Sequence, residues 1–236
     1  MNTPKEILGH IPKCRILDVA TGSGGFIHFL LEGLPYYSEI IGIDVNPRVE
    51  AAFTNAYKGK TGIHFQIMDA HHLTFPADSF DLVCISNSLH HFDDPIQVLQ
   101  EMERVLRPGG YFLVHEMYRD HQAETQITHV ELHHWWAAID RATGVVHNET
   151  YLREELIKMI DRLSLSEVRQ YDLSDTSTDP LAPEILDELN PVIDRFIQRA
   201  EGYPDLRAYG ELLRQRVAEV GFHSATSLLI VGEKHV

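Results

Sequence analysis

From Arg15 to Met117 the sequence alternates apolar runs of strand length with periodic segments of helix length. That rhythm points to a mostly parallel sheet flanked by helices, because parallel neighbours need a long crossover between them. The runs are residues 15–20, 39–44, 63–68, 81–86 and 111–117. Residues 81–86 are almost continuously apolar, which suits a central strand covered on both faces. Helix starts carry their own signals. Asn46-Pro47 supplies a cap and a first-turn proline, and Asp94-Pro95-Ile96-Gln97 sets cap, proline and glutamine in capping-box register. Arg107-Pro108-Gly109-Gly110 is expected to stop the helix before the fifth strand. Beyond residue 117 the expected elements are helices over 125–141, 151–163, 184–201 and 205–220, with strands over 166–173 and 225–232. Gly221 reads as the glycine that closes the last helix.

Composition narrows the function. Lys and Arg number 20 against 35 Asp and Glu, a net charge of −15 that opposes capture of phosphate backbones. Cys14 and Cys84 lie in apolar runs and read as two reduced, buried thiols. No apolar run reaches membrane-spanning length, and the first residues lack a leader pattern, so a cytoplasmic protein is expected.

The strongest chemical signal is Asp18-Val19-Ala20-Thr21-Gly22-Ser23-Gly24-Gly25-Phe26, lying between a strand and a helix. Glycines there let the backbone approach a ligand, and a helix N-terminus offers N–H donors. Asp44 ends the second strand 20 residues after Gly24, where a carboxylate can accept from two ribose hydroxyls. Nicotinamide and S-adenosylmethionine enzymes share that placement. The dinucleotide fingerprint also needs a glycine three residues after Gly24, and Ile27 stands there. Asp18, Asp44 and Asp69 at strand ends suit a cationic sulfonium better than a pyrophosphate.

Five motifs in order carry a family resemblance: Leu17 to Gly24, Gly42-Ile43-Asp44-Val45-Asn46-Pro47, Met68-Asp69-Ala70, Phe80-Asp81-Leu82-Val83 leading to Ser88-Leu89-His90-His91-Phe92, and Arg104 to Gly110. The stretch from Ile16 to Met117 resembles class I S-adenosylmethionine-dependent methyltransferases, similar to the ubiquinone/menaquinone-pathway group. The resemblance implies a doubly wound, mostly parallel seven-stranded sheet with helical insertions forming a cap. It implies S-adenosylmethionine as cofactor, with S-adenosylhomocysteine as product. Ala20, Gly22 and Gly24 are expected along the methionine moiety, Asp44 on the ribose, Asp69 and Ala70 about the adenine, and Asn87 and Ser88 near the methionine amino group. Asp18, Thr21 and Val45 complete that set. Ala20 departs from the glycine more frequent in the family. The expected divisions are a cofactor-binding core at 1–117, a cap segment at 118–149, a core helix and strand at 150–174, a helical insertion at 175–222 serving as cap or interface, and the last core strand at 223–236.

The acceptor is expected to be a small molecule. Ser86-Asn87-Ser88-Leu89 lacks the Pro-Pro-aromatic run of base amino methyltransferases, and no Pro-Cys nucleophile is present. A homo-oligomer is left open. Two rivals stand: a non-catalytic S-adenosylmethionine-binding protein and a nicotinamide-dependent oxidoreductase.

Of 15 histidines, 11 fall between His64 and His147. His91, His115 and Glu116 are the candidate proton acceptors, since they lie on or just past the carboxyl edge of the sheet. Alternation sends His115 and Glu116 to opposite faces. His129 and His133 share a helix face, but a zinc site needs a third protein ligand that no nearby spacing specifies, so no metal is expected. Residues 1–13 make one short helix at most. Tyr118, His129, His133 and Trp136, from the insertions, are therefore expected to wall the substrate pocket.

Overall fold

The computed structural model describes residues 3–12 and 14–236; Met1, Asn2 and Lys13 of the expected N-terminal helical segment lie outside the described residues. Seven strands form one sheet: β1 (Cys14–Val19), β2 (Tyr37–Asp44), β3 (Ile63–Ile67), β4 (Phe80–Ser86), β5 (Leu106–Met117), β6 (Leu165–Leu173) and β7 (Ser227–Lys234). Their order is β3-β2-β1-β4-β5-β7-β6. The pairs from β3 to β5 are parallel, while β7 runs antiparallel to both β5 and β6. This is the doubly wound, mostly parallel sheet expected, with β7 inserted between its two predecessors.

Strand alternation divides the core. Ile16, Leu82, Cys84 and Leu113 point to one face, covered by α1 (Pro4–Leu8), α2 (Gly25–Gly33) and α3 (Glu50–Ala56). Leu17, Val19, Val83 and Val114 point to the other, covered by α4 (Pro95–Val105) and α6 (Arg153–Ile160). Caps form where the sequence signals them. The Asp94 side chain accepts from the N–H of Gln97, and Asn46 accepts from that of Arg48. Asn46 opens a short 3-10 turn, Pro47–Val49, ahead of α3.

One strand start differs from expectation by five residues. β5 begins at Leu106, so Arg107-Pro108-Gly109-Gly110 belongs to the strand. Leu106 pairs with Phe80, and an irregularity in register follows before Tyr111 pairs with Leu82. The helix stops at Val105 as the segment signals, and Gly109 at φ +69° accommodates the irregularity, so long-range pairing starts the strand earlier than the apolar run does.

The insertions form α5 (Glu124–Ala142), α7 (Pro183–Arg199) and α8 (Pro204–Glu219). Leu132, Trp135 and Ile139 of α5 pack with Ile193 of α7 and Leu213 and Val217 of α8 in a separate apolar cluster. Trp135 is 1% exposed, and its indole N–H donates to the carbonyl of Leu206 at 2.7 Å. Gly210 of α8 lies flat on that indole: a Cβ there would stand 2.2 Å from a ring carbon. Replacing a helical glycine by alanine gains about 1 kcal/mol of helix propensity, whereas overpacking costs about 1–3 kcal/mol. Gly210→Ala should therefore lower the melting temperature; an unchanged or raised value would show that α8 is not seated on Trp135.

Candidate functional site

The turn after β1 is held from below. Asp18 is 1% exposed, accepting from the Thr21 hydroxyl at 2.5 Å and from the Cys84 thiol at 3.4 Å. Burial outweighs those bonds and pushes its carboxyl up to about 6. The Thr21 N–H donates to the carbonyl of Ile43 at 2.9 Å, tying the turn to β2. The two motif glycines then serve different ends. A Cβ at Gly24 would lie 2.4 Å from the ring of Tyr57, whose hydroxyl donates to the Gly24 carbonyl at 2.5 Å; this glycine admits α3. Gly22, at φ +54°, meets nothing of the chain within 4 Å on that side and leaves its bare face open to the cleft.

Asp44, at the end of β2, is aimed by two amides. Its Oδ2 accepts from Gly22 N–H at 3.0 Å and its Oδ1 from Asn46 N–H at 2.8 Å. A carboxylate has about four acceptor positions, so two remain for a ligand. Asp44, Val45, Asp69, Ala70, His71, His91, Phe92, Val145 and Val146 are among the walls of a cleft of about 670 Å³. Asp69 is itself turned by His71, whose N–H and Nδ1 lie at 2.9 and 2.8 Å; those hydrogen bonds hold its carboxyl below the ordinary range. A second cleft of about 500 Å³ includes Asp18, Thr21, Phe26, Phe29, Ser86 and His115 in its lining. The two share Ala20, Gly22, Asn87 and Ser88. Ala20 and Asn87 have φ of +53° and +44°, left-handed backbone on non-glycine residues at this junction. A glycine at position 20 would adopt this backbone without steric cost.

The candidate proton acceptors separate. Glu116 is 1% exposed; one oxygen accepts from Ser88 and Leu89 N–H at 3.0 and 2.8 Å, and the other meets His90 Nδ1 at 3.0 Å. Three of its about four acceptor positions hold the turn Leu89–His91. His115 lies on the opposite face, stacked on Phe26 at 5.4 Å, with Nδ1 2.8 Å from Ser86 Oγ and Nε2 2.6 Å from Ser227 Oγ. His91 borders the larger cleft.

The four residues expected to wall a substrate pocket line neither cleft. Tyr118 donates its hydroxyl to Asp172 at 3.2 Å. His129 accepts the N–H of Ala225 at 2.9 Å. Trp136 stacks on Phe196 at 5.5 Å. His133 instead joins His90 and His147 in a buried cluster. Sequence reasoning missed Phe26 and Phe29, although their spacing on the helix just after the glycine turn was a signal. It also missed Val145, Val146 and His147, which sit in a loop that carries none.

Residues 17–114 match the family model described as a methyltransferase domain. The matched stretch is less than half of the chain. The chain is 41% identical over 112 residues to a demethylmenaquinone methyltransferase of Deinococcus radiodurans, covering 47% of this chain and 46% of that protein. It is 39% identical over 106 residues to the uncharacterized methyltransferase YcgJ of Bacillus subtilis, covering 44% of this chain and 41% of that one. The chain thus spans less than half the length of these relatives in the aligned region. The crystal structure of YcgJ superposes with a TM-score of 0.62 at 22% identity, covering 95% of this chain and 93% of that one. Phosphoethanolamine N-methyltransferase 2 of Haemonchus contortus, solved with S-adenosylhomocysteine and phosphomonomethylethanolamine, superposes at 0.59 with 14% identity, covering 98% and 51%. These likenesses show the fold. Among the described residues, no helix is long and apolar enough to cross a membrane.

The buried imidazoles make stability pH-dependent. Burial pushes His115 and His129 down to about 4 and His133 to about 2. All three are neutral in the folded chain at pH 7, whereas the unfolded chain takes up protons as pH falls below about 6.5. Their contribution is therefore full above about pH 6.5 and is lost as pH falls toward 4, up to about 3 kcal/mol each for His115 and His129. Asp18 acts in the opposite sense between about pH 4 and 6, but it is one group against three. Urea midpoints should rise from pH 4 to 7 and rise less in His115→Gln; a falling midpoint would refute this balance. Ala20→Gly should relieve the left-handed strain and add up to about 1 kcal/mol in the same assay.

Proposed function

We propose that this chain is an S-adenosylmethionine-dependent methyltransferase acting on a small-molecule acceptor. The observation that carries the reading is Asp44, aimed by two backbone amides over a cleft that opens directly onto the bare face of Gly22. In this reading Asp44 holds the ribose hydroxyls, and Asp69 and Ala70 border the adenine beside Val45. Ala20, Thr21, Gly22, Asn87 and Ser88 line the methionine moiety where the two clefts meet. Asp18 and Gly24 act from underneath by fixing the turn. The nicotinamide rival fares worse: Ile27 is fully buried among Ile7, Leu8 and Leu30 instead of offering a third glycine.

The cofactor supplies an electrophilic methyl group on a sulfonium. The chain's task is then alignment and exclusion of water, since in-line displacement needs the nucleophile about 3–3.5 Å from its target. Phe26 and Phe29 give the smaller cleft an apolar wall beside Ser86 and His115. A neutral His115 can accept a proton relayed through the Ser86 hydroxyl, while Glu116 positions Ser88. Asp44, Asp69 and Asp93 line the larger cleft without a lysine or arginine, which supports a small molecule over a nucleic acid.

Calorimetry with S-adenosylhomocysteine tests the cofactor assignment. Asp44→Ala removes two charge-assisted hydrogen bonds and should weaken binding by about 2–4 kcal/mol. Unchanged affinity would reject it, and tighter binding of NAD to the native chain would favour the oxidoreductase. Where the acceptor must lose a proton, His115→Gln should lower turnover by about 10²–10⁴ with cofactor affinity preserved.

A further inference from the structure

We infer that His90, His133 and His147 form a binding site for one divalent transition-metal ion of the zinc type. The three are buried, at 1%, 8% and 5% exposure, and each offers a ring nitrogen within 4.8 Å of the other two. They come from three separate segments: the turn after β4, the middle of α5, and the loop that follows it.

Three features distinguish the group from casually packed rings. First, spacing: zinc–nitrogen bonds of about 2.0–2.1 Å at tetrahedral angles require nitrogens about 3.3 Å apart. His133 Nε2 and His147 Nε2 stand 3.4 Å apart, and the most distant pair closes by about 1.5 Å to reach that separation. Second, orientation: His90 Nδ1 faces Glu116 at 3.0 Å and His147 Nδ1 faces Asp140 at 2.7 Å. A carboxylate behind the far nitrogen is how proteins fix the tautomer and aim of a metal-ligating histidine. Arg199 in turn pairs with Asp140. Third, availability: His133 Nε2 and His147 Nε2 face each other, and neither is committed to a carboxylate or backbone partner among the described residues. An all-imidazole set suits zinc, cobalt, nickel or copper; magnesium and calcium demand oxygen ligands.

Helix spacing singled out His129 as the partner of His133, yet His129 is spent on the Ala225 amide. Convergence comes from the turn and the loop instead. His91 packs against the rings of His147 and His90 at 4.2 and 4.4 Å and also lines the larger cleft. The cluster therefore sits directly behind the cleft wall, and three protein ligands leave a fourth position for water or another donor. Metal uptake is independent of the methyltransferase reading, since it is measured without cofactor or turnover.

The test uses the whole chain, stripped with EDTA and dialysed into chelator-free buffer. Titration with cobalt(II) should produce the visible absorption of a tetrahedral centre, saturating at one equivalent and erased by added zinc, with no response to magnesium. The melting temperature should rise on zinc addition. His147→Gln and His133→Gln should abolish the stoichiometric signal, and Asp140→Asn should weaken zinc about 10–100-fold. His129→Gln should retain it. Circular dichroism checks that each variant is folded, and the wild-type titration decides alone if the histidine variants are not. A wild-type chain that binds no cobalt overturns the assignment, as does undiminished binding in folded His147→Gln or His133→Gln.

Discussion

The carboxylate of Glu116 stands at the end of β5 and reaches across to β4, where it collects the N–H groups of Ser88 and Leu89 and the ring of His90. A buried carboxylate is costly unless donors meet its lone pairs, and here three do. The consequence is a turn whose position is set by the sheet. Ser88 is thereby delivered to the junction of the two clefts, His90 to the histidine cluster, and His91 to the wall between them. Asn87 adds a second tie, donating its N–H to the His115 carbonyl at 2.7 Å and accepting from Met117 N–H at 3.0 Å.

The sheet was readable in the sequence because its signals are local. Apolar runs, the Asp94-Pro95 start and the strand–glycine turn–helix sequence each state their element within a few residues. Where the sequence misled, a distant partner decided. Pro108-Gly109-Gly110 stops the helix as it reads, yet it does not delay the strand to Tyr111: Leu106 pairs with Phe80, 26 residues earlier, and the strand begins there. Alternation placed His115 and Glu116 on opposite faces as expected, but not the donors that each would meet. His147 was beyond any reading by periodicity, because nothing in an irregular loop records which helix it returns to.

Gly22, Ala20 and Asn87 show how the junction is shaped. All three have positive φ, and only one is a glycine. Two side-chain-bearing residues in left-handed backbone persist because flanking strands and hydrogen bonds over-determine them. The strain is located where β1 and β4, the two central strands, give way to the open cleft.

The place of β7 in the sheet bears on how the chain reaches this state. Residues 227–234 lie between β5 and β6, so neither of those strands has its final neighbour until the last segment arrives. On a ribosome, β5 therefore emerges with an unpaired edge, and more than 100 residues must be synthesised before its partner is available. An uncovered strand edge is a template for association with other chains. Co-translational acquisition of structure should stall at a five-stranded parallel half, and the nascent chain is most vulnerable to aggregation, and most in need of chaperone cover, over that interval.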